Sequence, residues 1–152
     1  MTYWKINYHF VWGTKHREAV LFGENAAIAV NAICAEANEM RSLIHAIAVQ
    51  PEHVHSALSV PPVYSPSQIA KQLKGKSSHL LTRTWNSGGE VHWSGWQSEY
   101  GIITFGERSR TSIVRYLNNQ EEHHRTNNLW LSFEELGGPP ATPTNLEEVS
   151  YE

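Results

Sequence analysis

The chain has 152 residues, of which 40% are hydrophobic and 18% charged, which suits one soluble domain with a proper core and excludes a polyelectrolyte, disordered chain. It carries a formal charge of −3, one cysteine (Cys34) and fifteen acidic residues that are all glutamate, so zinc fingers, CxxC redox sites, Asp-Asp-Glu two-metal nucleases, aspartic dyads and Ser-His-Asp triads are excluded. No apolar run approaches the ~18 residues of a membrane span and the first residues lack a signal-peptide pattern, so the expected location is cytoplasmic.

Residues 2–14 alternate bulky apolar with polar positions (Tyr3, Trp4, Ile6, Tyr8, Phe10, Trp12) and predict a first strand. Ala26–Met40 places Ala26, Ala29, Val30, Ile33 and Ala37 at helical spacing, with Glu24 and Asn25 suited to its start. Leu43–Val49 and His53–Val60 flank Gln50-Pro51-Glu52 and read as an antiparallel hairpin. Ser65-Pro66-Ser67 opens a second helix running to about Trp85, with Ile69, Leu73, Leu80 and Leu81 apolar. After Asn86-Ser87-Gly88-Gly89, residues 96–105 predict a fourth strand and residues 109–126 a third helix, with Ile113, Val114 and Leu117 on its apolar side.

The order β-α-β-β-α-β is the ferredoxin-like split βαβ pattern: an α+β fold with a four-stranded antiparallel sheet, two helices on one face, and here one added C-terminal helix. Residues 1–133 are expected to form the domain. Residues 134–152 form an acidic tail whose Gly137-Gly138-Pro139-Pro140 is unsuited to regular structure, and setting aside its five glutamates turns the net charge of the remainder to +2. Within that remainder, residues 53–89 hold Lys71, Lys74, Lys76 and Arg83 and no acid, a field that attracts phosphates or simply a solvated helix face.

Residues two apart on a strand share a face, so His53 and His55 present two imidazoles side by side while Val54 enters the core. Such a pair is a bidentate metal site or two exposed histidines on the solvent side of a hairpin. On the third helix, Tyr116 and Gln120 are four apart and share a face. If that face meets the histidines, Gln120 completes a three-ligand His-His-Gln site and Tyr116 stands beside a bound phosphate, an arrangement suited to phosphoryl transfer. Taken alone, Tyr116 also fits an amphipathic core position.

Five segments in order, Tyr8–Lys15, Pro51–His55, Ser65–Ser78, Trp96–Gly101 and Tyr116–Arg125, make the chain resemble the single-tyrosine HUH transposases, which act on single-stranded DNA, and in particular the REP-associated tyrosine transposases. The resemblance implies that His53 and His55 are the HUH metal pair and Gln120 the third ligand. It makes Tyr116 the nucleophile that leaves a 5′-phosphotyrosine and a free 3′-hydroxyl. It implies Mg2+ or Mn2+ as cofactor, although two imidazoles equally suit zinc or nickel. It implies hairpin or single-stranded DNA as partner, and a possible homodimer in which Tyr116 serves its own or its partner's metal. One departure is Glu52, where relatives often carry Asp. With that site accepted, Lys71, Lys74, Lys76 and Arg83 become candidate DNA contacts in a positive groove beside the metal, while His123, His124 and Arg125 at the expected end of the third helix either contact DNA phosphates or are simply favoured there by the helix dipole. The competing readings are a catalytically silent hairpin-binding module and a small zinc hydrolase in which Tyr116 is dispensable.

Overall fold

The computed structural model describes residues 2–85 and 92–119. The elements are β1 (Asn7–Gly13), α1 (Gly23–Glu39), β2 (Leu43–Gln50), β3 (His53–Ser59), α2 (Pro66–Thr84), β4 (Gly101–Phe105) and α3 (Arg110–Asn118). All strand pairs are antiparallel, in the order β2-β3-β1-β4, so the ferredoxin-like expectation holds. The third helix was expected to reach residue 126; α3 ends at Asn118 with Asn119 as its C-cap, and residues 120–152, with the tail 134–152, lie outside the described residues.

The alternation along each strand divides the molecule into two layers around the sheet. Phe10 and Trp12 of β1 and Val54 and Leu58 of β3 point to the face covered by α1 and α2, where they pack with Ile33, Ala37, Ile69 and Leu73. The opposite face carries Ala46, Ala57 and Phe105, on which Ile113, Tyr116 and Leu117 of α3 are packed. Three residues spaced i, i+3, i+4 give α3 one apolar side, and alanines at 46, 48 and 57 let the helix lie close to the sheet.

Local signals explain the boundaries. Ser65 accepts from the Gln68 amide at 3.2 Å while its own amide donates to Gln68 Oε1 at 2.7 Å, a reciprocal cap with Pro66 in the first turn. The first strand begins at residue 7, leaving Tyr3 and Trp4 exposed. The fourth strand is shorter than expected: Trp96 makes one isolated bridge to Thr14, and regular pairing begins at Gly101. Between them the Gln97 amide still donates to the Gly13 carbonyl at 2.9 Å, while the carbonyls of Gln97, Ser98 and Glu99 accept from Lys74 Nζ at 2.6, 3.2 and 3.2 Å, so a lysine serves the acceptors of that backbone.

The tryptophans also sort themselves. Trp12 is fully buried, and Trp85, Trp93 and Trp96 are half-buried in a chain of ring contacts with it, with centroid spacings from 4.7 to 6.0 Å. Trp93 and Trp96 donate to the Ser78 and Ser77 hydroxyls. These rings are core of the α2 side, which leaves Trp4 as the exposed one among the described tryptophans.

Candidate active site

His53 and His55 lie on the α3 side of β3, their ring centroids 4.9 Å apart and their planes at 77°. The strand register explains the pairing: both point away from the α1/α2 core because Val54 points into it. The expectation of exposed imidazoles is corrected, since both are fully buried. The physical reason is that this sheet face is not a solvent face; α3 packs across β2 and β3.

Tyr116, also buried, stands edge-on to His55 with centroids 6.2 Å apart and planes at 81°. It therefore belongs both to the α3 core and to the histidine site. The start of its helix is tied to the sheet by a polar network. Asn7 Nδ2 donates to Glu107 Oε1 at 3.0 Å, and Glu107 Oε2 lies 3.4 Å from Lys5 and 3.2 Å from Arg110. The Ser59 hydroxyl donates to Asn7 Oδ1, and His45 Nε2 lies 2.6 Å from that hydroxyl. The Asn7 hydrogen bond and the two neighbouring cations hold the Glu107 carboxyl below the usual range, and burial with the Arg110 charge lowers His45 against the opposing pull of Glu107.

Each histidine has its Nδ1 engaged. His53 Nδ1 is 2.9 Å from Glu52 Oε1, and an ionised carboxylate only accepts, so this bond puts the His53 proton on Nδ1. Arg17 approaches the same carboxylate oxygen at 4.0 Å from a one-turn segment in which His16 and Arg17 both take left-handed backbone angles, φ 58° and 56°. Non-glycine residues seldom adopt that conformation, and here two do so in succession beside the His53 end of β3. Gly13 pairs with His53 across the strands; a side chain there would meet Gln97 Oε1 at 2.5 Å and Arg17 Cδ at 3.0 Å. His55 Nδ1 is 3.0 Å from His9 Nε2 on β1.

The donor set fits a borderline divalent ion in part. Nδ1 of His53 meets Glu52 and Nδ1 of His55 meets His9, so Nε2 is the atom each ring would offer to a metal, the usual arrangement of a metal-binding histidine. Among the described residues no three His, Cys, Asp or Glu side chains converge for a metal, so a third protein ligand has to be of another type or lie elsewhere. Gln120 falls outside the described residues, as do Arg125, His123 and His124.

The basic residues are not beside this site. Lys71, Lys74, Lys76 and Arg83 belong to α2, which covers the other face of the sheet. The expected groove beside the metal is thereby corrected: the helix carrying these charges is needed to bury Phe10, Val54 and Leu58, whereas the histidines alternate to the far side. Lys71, Lys76 and Arg83 are exposed, but Lys74 is half-buried with its three ammonium donors directed at carbonyls and its ring-face contact on Tyr100 at 5.8 Å; burial lowers its pKa. Sequence reasoning missed His9 and Arg17. Strand alternation could have put His9 on the site face, but only the inter-strand register brings it to His55.

Known proteins resemble this chain in sequence and in fold. The family described as "Transposase IS200 like" matches residues 2–120. The ISDra2 transposase TnpA of Deinococcus radiodurans is 30% identical over 121 residues, 78% of this chain and 86% of that protein. The transposase for insertion sequence element IS200 of Salmonella typhimurium is 35% identical over 81 residues, 53% of either chain. Among solved structures, a transposase from Deinococcus radiodurans R1 superposes with a TM-score of 0.61 at 30% identity, covering 78% of this chain and 93% of that one. A REP-associated tyrosine transposase bound to a REP hairpin gives 0.61 at 19% identity, covering 82% and 72%, a likeness of fold.

Proposed function

Since the chain belongs to the IS200-like transposase family, we propose that it cuts and rejoins single-stranded DNA beside a hairpin, with Tyr116 as nucleophile and His53, His55 and Gln120 as ligands of Mg2+ or Mn2+. The observation that carries this reading is the convergence of two buried imidazoles with one buried tyrosine, 4.9 Å between the histidine rings and 6.2 Å from His55 to Tyr116. A divalent ion bound there supplies charge neutralisation for a phosphodiester. Glu52 holds the His53 ring and its tautomer, and α3 holds the tyrosine against His55.

In the reaction we infer, the Tyr116 phenol loses its proton, its oxygen bonds to phosphorus, and the 3′-oxygen leaves and takes up a proton, giving a 5′-phosphotyrosine. A phenol of ordinary pKa ~10 needs that proton removed by the site. Attack by the free 3′-hydroxyl of another strand reverses the step and rejoins DNA. The contact of Tyr116 with His55 of its own chain supports cleavage in cis, whether the working unit is a monomer or a homodimer. Hairpin DNA as substrate is supported by the REP hairpin held by the REP-associated relative of like fold. Exposed Lys71, Lys76 and Arg83 remain candidate contacts for DNA that wraps to the α2 face, and Arg125 remains a candidate through the family resemblance.

The test uses labelled oligonucleotides carrying hairpins from the DNA flanking the gene, incubated with Mg2+, Mn2+ or EDTA. Metal-dependent cleavage with a protein-linked 5′ end is the expected result. Cleavage that persists in EDTA removes the metal from the reading, and metal-dependent cleavage without an adduct favours a hydrolase. Binding without cleavage under every condition favours a silent hairpin-binding module.

A further inference from the structure

His9 is a third fully buried imidazole on the α3 side of the sheet, and the proposed chemistry leaves it without a task. It pairs with Ala57 across the strands while His55 pairs with Val11, which makes the two histidines diagonal neighbours on one face. Their rings lie 5.1 Å apart at 29°, and His9 Nε2 is 3.0 Å from His55 Nδ1. It is not a third ligand by geometry, since no three such side chains among the described residues converge for a metal.

A neutral imidazole has one N–H and one lone pair, so a hydrogen bond between the two ring nitrogens needs the proton on one of them and a lone pair on the other, and the two assignments differ in what they leave at the far nitrogen of His55. If His55 Nε2 is to ligate a metal, the proton of that ring must sit on Nδ1 and be donated to His9 Nε2. The opposite assignment puts a proton on His55 Nε2 and closes it to a metal. His53 meets the same requirement through the Glu52 carboxylate. A second carboxylate at the position of His9 would be buried and would add negative charge where a phosphodiester has to arrive; an imidazole accepts the same hydrogen bond with no charge.

We propose that His9 is a positioning residue that holds His55 in the Nδ1–H tautomer, leaving Nε2 as the coordinating atom. The inference rests on the reading of His53 and His55 as metal ligands. Glu52 and His9 are then two chemically different acceptors imposing one tautomer on adjacent rings.

The experiment compares the full chain with His9→Phe, which keeps a ring and deletes the acceptor, and His9→Gln, whose amide oxygen can replace Nε2. Long-range 15N–1H NMR of the metal-free protein reads the tautomer of His55, and electron paramagnetic resonance reads Mn2+ affinity. The expected results are a proton on His55 Nδ1 in the wild type and in His9→Gln, loss of that preference in His9→Phe, and a Mn2+ affinity about 10- to 100-fold weaker in His9→Phe but recovered in His9→Gln. A His55 proton on Nε2 in the wild type overturns the inference, and this measurement needs no substitution to fold. If His55→Ala loses Mn2+ while His9→Phe keeps both affinity and tautomer, the metal reading stands and the inference alone falls. If His55→Ala binds Mn2+ as tightly as the wild type, the metal reading has failed and takes the inference with it.

Discussion

Tyr116 stands edge-on to His55, ring centroids 6.2 Å apart, on a helix whose neighbouring Ile113 and Leu117 are fully buried. The helix therefore delivers the phenol to the histidines by the same packing that secures the α3 layer. Tyr116→Phe keeps the ring in that layer and removes the only atom able to form a phosphotyrosine. The expected outcome is loss of cleavage and of the DNA-linked species on a denaturing gel, with a stability change within about 1 kcal/mol. Cleavage at the normal rate by this variant transfers the nucleophile's role to water.

Full burial of His53 and His55 changes what their removal does. His53→Ala and His55→Ala are expected to lower stability by about 2 to 4 kcal/mol, the range for emptying a ring-sized buried position. The ligand role separates from this through metal: Mn2+ at about 100 times its Kd should stabilise the wild type by about 2.7 kcal/mol and neither variant. Denaturant melts with and without Mn2+ make the comparison, and equal stabilisation of all three proteins removes the histidines from the metal site.

Lys74 and its neighbours on α2 should part company. Lys74→Ala deletes the donor to three carbonyls and is expected to cost about 1 to 2 kcal/mol of stability, with little change in the salt dependence of DNA binding. Lys76→Glu should leave stability nearly unchanged and, if α2 contacts phosphates, lower the slope of log affinity against log salt by about one. Filter binding over a salt series decides, and an unchanged slope for both Lys71→Glu and Lys76→Glu makes the helix face merely solvated.

The network at the start of α3 predicts an acid limb in stability. His45 has a lowered pKa in the fold, from burial first and Arg110 second, so as pH falls through about 6.5 the unfolded chain takes up the proton more readily and stability declines. Glu107 also has a lowered pKa, chiefly through Asn7, and its contribution is lost only at lower pH, below the ordinary carboxylate value. His45→Gln should flatten the limb between pH 7 and 5 and leave the carboxylate limb in place; urea melts at half-unit intervals that show the same limb in both proteins would discard this account.

What the sequence determined by itself is local. The period-two run through Phe10 and Trp12, the Ser65-Pro66-Gln68 cap and the Pro51 turn each report chain geometry over a few residues, and they sufficed for the element order, the ferredoxin-like sheet and the shared face of His53 and His55. The five family segments extended that to the transposase class. The tertiary structure decided everything that depends on which face of the sheet is covered and by what. Burial of the histidine pair, the placement of the α2 cations on the opposite layer, the use of Lys74 on carbonyls in place of a longer fourth strand, and the meeting of His9 with His55 all follow from strand register and helix packing. Those are contacts between residues 23 to 100 positions apart in the chain for Lys74–Gln97, His9–His55 and Asn7–Glu107, and no local pattern encodes a partner that only the folded sheet brings within reach.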